Sequence, residues 1–259
     1  MTPIASISGA ALAPHSFNTR WIFPEKERML YVKRLTYRRL TATLPVELPG
    51  KQDIAMPRLL IATTNPGKLR EYAAIFADLP LDLYTLSDLG IQDDVEETGA
   101  TFAENARIKA EYYAQRSGLP TLADDSGLEV AALGGEPGVH SARYAGPEAT
   151  DAERNAFLLR KLEGVPFHAR LARFVCVIAL ALPGGPVEFV EGVLPGVIEF
   201  EPKGHYGFGY DPIFYVLDED ATLAELPPER KNQISHRANA ARAAREVLLR
   251  WLDAGLLDL

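Results

Sequence analysis

Asp124 and Asp125 are adjacent, and Ser126 and Gly127 follow them directly. Two carboxylates that close repel, raising the pKa of one, unless a cation lies between or beside them. A hard cation such as Mg2+ suits the pair, because it takes carboxylate oxygens and keeps several waters. The same residues also read as a plain turn, with Gly127 bending the chain. Before them, Leu119-Pro120-Thr121-Leu122 reads as a buried strand. The aspartates are therefore expected at its C-terminal end, where α/β proteins collect ligand groups.

Other groups fit related chemistry. Thr64-Asn65-Pro66-Gly67-Lys68 is a tight loop between the apolar strand Arg58–Thr63 and a helix predicted over Lys68–Leu79. Strand, polar loop and helix N-terminus form an anion site: backbone N–H groups and the helix dipole face the ligand, and Lys68 adds charge. The loop lacks the spacing of a Walker A motif. Glu96 and Glu97 sit in the acidic patch Asp93–Gly99. Asn105 and Lys109, four apart, share one helix face, which makes Lys109 either a phosphate counterpart or a solvated surface lysine.

From Lys203 to Pro212 aromatic residues alternate with glycine. Such a loop either packs on itself or lays a ring against a flat base, where stacking contributes about 1–3 kcal/mol. Lys231 and the pair His236-Arg237 come last. His236 and Arg237 fall in the first turn of a helix capped by Ser235, where cations oppose the dipole, and an unfavourable placement points to function.

The elements that must hold these groups can be read in outline. Strands are predicted at Arg58–Thr63, Leu81–Leu86, Arg173–Leu182, Val187–Val193, Leu194–Glu201 and Ile213–Val216, with turns such as Pro183-Gly184-Gly185-Pro186 between them. The hairpin at Arg173–Val193 calls for a mixed sheet. Thr101/Glu104 and Thr150/Glu153 are capping boxes opening helices that end near Ser117 and Gly164. Thr222/Glu225 is expected to open a short helix before Pro227-Pro228, and an amphipathic helix closes the chain near Trp251.

The net charge of −8 is unevenly spread: residues 1–55 hold eight Lys/Arg against four Asp/Glu, so the remaining body is strongly acidic. An acidic body argues against stable nucleic-acid binding, which needs many phosphate contacts from Lys and Arg. No apolar run approaches a membrane span. Cys176 is the only cysteine, inside Phe174–Ile178, and reads as a core residue in a reduced, cytoplasmic protein. Residues 1–56 read as a poorly ordered basic extension, unlike a signal or transit peptide, and 57–259 as the working domain. Met56 stands directly before the first convincing strand, so the extension is expected to be upstream sequence read from too early a start.

No Ser/His/Asp arrangement has a nucleophile elbow, and the five histidines lack zinc spacing. Carboxylates for Mg2+, scattered lysines and a stacking loop together suggest a nucleoside polyphosphate. The carboxylates could also activate water for attack on phosphorus, the metal neutralising a pyrophosphate leaving group.

Thr63–Lys68, Glu96-Glu97-Thr98-Gly99, Phe102–Ala106, Lys109, Ala123–Leu128, Pro137-Gly138, Ser141–Tyr144, Phe208–Pro212 and Ser235–Arg237, in that order, resemble the inosine triphosphate pyrophosphatase family. These are the XTP/dITP diphosphatases, which remove deaminated purine nucleotides. The resemblance covers about residues 58–252. It implies hydrolysis of ITP, dITP and XTP to the monophosphate and pyrophosphate with Mg2+, on an elongated mixed α/β sheet flanked by helices, two lobes with the cleft between, usually as a homodimer. It also implies Asp125 as general base and metal ligand and Glu96 as the second ligand, with Glu97 the other choice for that place. Asp124 becomes a supporting group. Thr63, Thr64, Asn65, Pro66, Gly67 and Lys68 would bind the triphosphate with Lys109 and Ser126. Phe208, Gly209, Tyr210 and Asp211 would cover the base, and Lys231, His236 and Arg237 would read its edge. A 6-oxo purine accepts from such donors, whereas adenine presents an amino group and leaves them unpaired. Two other readings fit the same residues: a related pyrophosphatase for modified pyrimidine nucleotides, and a non-catalytic nucleotide-binding module.

Overall fold

The computed structural model describes residues 56–257, and the expected N-terminal extension lies outside the described residues. In chain order the regular elements are β1 (Arg58–Ile61), α1 (Pro66–Ile75), β2 (Asp82–Thr85), α2 (Phe102–Ser117), β3 (Thr121–Val130) and α3 (Asp151–Lys161). β4 (Leu171–Ala181), β5 (Val187–Ile198), β6 (Phe214–Val216), β7 (Ala221–Thr222), α4 (Pro228–Ile234) and α5 (His236–Asp253) follow. The strands form one sheet in the order β2-β1-β3-β4-β5-β6-β7. β1 runs parallel to β2 and β3, and every later pairing is antiparallel, so the sheet is mixed as expected.

The local signals for the helices are realised. Asn65 caps α1 and Pro66 occupies its first position, where a missing N–H costs nothing. Thr101 with Glu104, and Thr150 with Glu153, close both capping boxes, and Gly118 ends α2 in the left-handed region. Thr222 and Glu225 also bond to each other, but Pro227 and Pro228 follow too soon for a helix to propagate. They close a turn instead, and the helix begins at Pro228. Pro195 likewise fails to divide its strand: it faces Arg173 across the ladder, and β5 continues to Ile198. A strand tolerates proline where no ladder N–H is needed.

The largest departure concerns Asp124–Gly127. No turn forms there, and Gly127 does not bend the chain. β4 pairs with every residue of β3, from Thr121 opposite Ala181 to Val130 opposite Ala172, and apolar residues face all of them except Glu129, which meets Arg173, so the polar residues sit in mid-strand. Side chains alternate faces along a strand. Asp124 therefore points toward α1 and α5, and Asp125 toward α2, and the two carboxylates do not share one site.

The same alternation sorts the core. Leu59, Ile61, Leu122, Ile178 and Leu180 pack with α1 and α5. Leu60, Ala62, Ala123, Val177 and Ala179 pack with α2 on the opposite face. A third cluster joins Leu128 and Val130 to Leu158, Phe174, Ile213 and Phe214 farther along the sheet. Between the clusters, β3 carries its polar stretch, and there the cleft opens.

Candidate active site

Asn65 shapes the first loop. Its Oδ1 accepts from the backbone N–H of Gly67 at 2.8 Å and of Lys68 at 3.3 Å, and Thr63 Oγ1 accepts from Asn65 N. Lys68 then reaches back to the sheet, with Nζ 2.9 Å from Asp124 Oδ2. Asp124 is fully enclosed, and burial alone would raise its pKa. Lys68, Arg237 and Lys109 outweigh that and hold it well below the usual carboxylate range. Asp124 is thus a fixed negative charge. The neighbouring Cys176 thiol is pushed up to about 12 by burial and by Asp124, so it is inert core, as expected.

Asp125 has a different environment. Asn105, from α2, donates Nδ2–H to Asp125 Oδ2 at 3.0 Å, and Ser126 N–H donates to Oδ1 at 2.9 Å. Burial raises its pKa, Lys109 opposes, and the Glu97 charge adds to the rise. Lys109 is half-buried, not a solvated surface lysine, and binds Glu97 Oε1 at 2.6 Å. Burial works to lower its pKa, but the charges of Asp125, Asp124 and Glu97 raise it overall and keep it cationic.

A second set of charges continues from Asp124. Arg237 is 2% exposed; it binds Glu71, donates to Ser126 Oγ at 3.1 Å and places Nε 3.7 Å from Asp124 Oδ2. Lys231 is 4% exposed and lies 3.0 Å from Glu71 Oε1 and 2.6 Å from Asp211 Oδ2. Burial disfavours the Glu71 charge, yet Arg237 and Lys231 win and lower its pKa. His236 is buried and stacked on Phe174 at 4.6 Å, with Nδ1 unpartnered. Burial, then Arg237 and Lys231, push its pKa well down, so it is neutral at pH 7.

The aromatic loop closes over these cations. The Phe208 ring stands 4.5 Å from Lys231 Nζ and 5.7 Å from the Arg237 guanidinium carbon. Gly207 and Gly209 adopt positive φ, and a Cβ on Gly207 would meet Asp211 Oδ2 at 2.0 Å. Asp211 Oδ2 also accepts from Phe208 N at 2.9 Å. The Gly209 peptide is held from both sides by α3: its N–H donates to Asp151 Oδ2 at 2.6 Å, and its C=O accepts from Asn155 Nδ2 at 3.1 Å. Tyr210 donates its hydroxyl to Ser141 O at 2.9 Å.

These groups line one cleft of about 490 Å³. It brings together Asp125, the whole loop from Thr63 to Lys68, Lys109, Ser126, Phe208–Asp211, Lys231, His236 and Arg237. Glu96 is the nominated residue that does not line it. Its side chain is exposed, whereas Glu97 faces the cleft beside Lys109. Sequence reasoning missed Glu71, Asp151, Asn155 and Ser141, and it gave Asn105 no task. A spacing signal existed for some: Glu71 lies one helical turn past Lys68, and Asp151 and Asn155 are four apart at a helix start. Among the described residues no three His, Cys, Asp or Glu side chains are grouped to hold a metal.

A cleft with a buried carboxylate, fixed cations and an aromatic glycine loop, on a mixed α/β sheet, belongs to the class of sites that take a polyanion joined to a flat ring. The chain belongs to the Ham1 family, whose model matches residues 59–247. It is 55% identical over 185 residues to the dITP/XTP pyrophosphatase of Geobacillus kaustophilus, covering 71% of this chain and 91% of that one. Its identity to the dITP/XTP pyrophosphatase of Bacillus subtilis is 46% over 195 residues, covering 75% and 98%. Among solved structures, a HAM1 protein from Coxiella burnetii superposes with a TM-score of 0.70 at 47% identity, over 75% of this chain and 100% of that one.

Proposed function

We propose that residues 57–259 form an XTP/dITP diphosphatase that hydrolyses ITP, dITP and XTP to the nucleoside monophosphate and pyrophosphate, clearing deaminated purines from the nucleotide pool. The observation that carries this is Asp125: a buried carboxylate with a raised pKa, facing the cleft between phosphate-side cations and base-side donors. The relatives named dITP/XTP pyrophosphatase support the same activity.

In this reading Asp125 accepts the proton of a water as its oxygen bonds to the α-phosphorus. The bridging α–β bond breaks, and pyrophosphate leaves. Asn105 holds the carboxylate in line, and Lys68 and Lys109 face the charge that builds on the phosphate oxygens. At the far end Arg237 and Lys231 present donors to a 6-oxo group. An amino group there would leave buried donors unpaired, costing about 1–3 kcal/mol each. Neutral His236 adds a further polar edge.

The donor set fits Mg2+. Asp125 with Glu97 or Glu96 supplies one or two carboxylates and leaves the remaining ligand places to water and phosphate, the usual manner for this ion. When bound, it would neutralise charge on the pyrophosphate leaving group. The family resemblance implies a homodimer, which light scattering reads, and the single cysteine fits a cytoplasmic setting.

The test is pyrophosphate release from ITP, dITP and XTP beside ATP, GTP, dTTP and UTP, with Mg2+ and with a chelator. We expect turnover of the deaminated purines only, abolished by chelation. Asp125→Asn should lose at least about a hundredfold in kcat. A preference for pyrimidines would overturn the reading.

A further inference from the structure

Six basic side chains line the cleft: Lys68, Arg70, Lys109, Arg154, Lys231 and Arg237. Five are already held by carboxylates. Lys68 is paired with Asp124, Lys109 with Glu97, Arg154 with Asp151, Lys231 with Asp211 and Glu71, and Arg237 with Glu71. These five side chains are between 2% and 17% exposed. Arg70 differs on both counts. It is exposed, and among the described residues of the cleft it is the basic side chain with no hydrogen-bond or ion-pair partner.

The distinction has a physical consequence. A largely enclosed cation paired with a carboxylate has much of its charge neutralised and its geometry fixed. It can orient a ligand, but it adds little net attraction for one more anionic group. Arg70 retains its full charge and a free planar fork suited to bidentate phosphate contact. It sits on α1, two residues beyond Lys68, and helical side chains lean toward the helix N-terminus. Its reach is therefore over the first turn of α1 and the loop Thr63–Lys68, at the open mouth of the cleft. Asp125 fixes where the reacting phosphate must lie, inside, so the phosphate farthest from the base lies outward.

We propose that Arg70 binds the terminal phosphate and sets the preference for nucleoside triphosphates over diphosphates. The inference rests on the function proposed above and adds to it the residue that counts phosphates. The paired cations serve the base and the inner phosphates, which a diphosphate also presents. Only the third phosphate meets an uncommitted charge.

The experiment is calorimetric titration with IMP, IDP and ITP in Mg2+, comparing Asp125→Asn with Asp125→Asn/Arg70→Ala, so that no turnover intrudes. Alanine is the best helix former, and Arg70 is exposed and unpartnered, so the fold is kept. We expect ITP to bind about tenfold more weakly without Arg70, as for an exposed charge-assisted contact, with IDP and IMP within a factor of two. Arg70→Lys in the same background should recover part of the loss. Equal weakening of ITP and IDP, or no weakening, overturns the inference, and so does ITP failing to bind at all. In the otherwise native protein Arg70→Ala should raise KM for ITP about tenfold with kcat nearly unchanged. Should the native protein bind ITP but release no pyrophosphate, the proposed activity falls while the titration still decides the role of Arg70.

Discussion

Phe208 lies so close to Gly67 that a Cβ on Gly67 would stand 2.7 Å from its ring. Gly67 stands in the first turn of α1 and Phe208 in the loop before β6, and their contact closes the cleft at one side. Gly67→Ala should push the ring off Lys231 and Arg237 without harming the core, because a ring edge can swing away. We expect a melting temperature close to that of the parent and a KM for ITP raised about tenfold. Steady-state kinetics beside thermal denaturation separate the two effects.

Asp125 is ionised at some cost to the fold. Its folded pKa is raised above 3.8, first by burial and then by Glu97 against the pull of Lys109. A raised carboxylate contributes stability that is fully present below the unfolded pKa and is lost as pH rises through the folded one. At pH 7 that contribution is gone. In metal-free protein Asp125→Asn should therefore melt higher than the parent at pH 7, with the difference vanishing below pH 3.8. Melting curves across pH check it, and an Asp125→Asn protein that melts lower at pH 7 refutes it.

Glu71 carries the opposite sign. Burial opposes its charge, but Arg237 and Lys231 lower its folded pKa below 4.5. Its stabilisation is present above the unfolded pKa and is lost as pH falls through the folded one. Glu71→Gln leaves two buried cations short of a partner and should cost about 3–5 kcal/mol at pH 7. The deficit should shrink as the medium is acidified past the Glu71 titration. Urea unfolding at several pH values reads this directly.

Gly127 needs space, not conformational freedom. A Cβ there would stand 2.5 Å from both Gly138 O and Ser141 Oγ and 2.9 Å from the Phe102 ring. Ser141 Oγ accepts from Leu128 N at 2.9 Å and donates to Gly138 O at 2.6 Å, so the segment cannot retreat freely. Gly127→Ala should destabilise by about 1–3 kcal/mol. It should also lower activity, because Ser141 O receives the Tyr210 hydroxyl that anchors the aromatic loop of the cleft.

The sequence disclosed what depends on near neighbours. The capping boxes at Thr101 and Thr150, the hairpin and the polar loop between β1 and the helix at Lys68 need only a few adjacent residues. The place of Asp124 and Asp125 was not legible in the same way. Adjacent aspartates before Ser-Gly carry a turn signature, and only the length of β4 opposite shows that the strand runs through. Glu71, Asp151 and Asn155 were hidden for another reason. Each is an unremarkable polar residue on a helix, and its partners lie between 54 and 166 residues away, apart from the bond between Asp151 and Arg154.

Asp125 is paired on β3 to Val177 of β4, inside a ladder ten residues long. Groups on such central strands open to solvent only with the whole fold, whereas loops open singly. Asp125 thus sits on the part of the molecule whose amide protons should exchange most slowly. Phe208 and Glu97 ride on segments outside the ladder. Any closing and opening of the cleft is therefore expected from that side, with the Asp125 carboxylate held in place by the ladder.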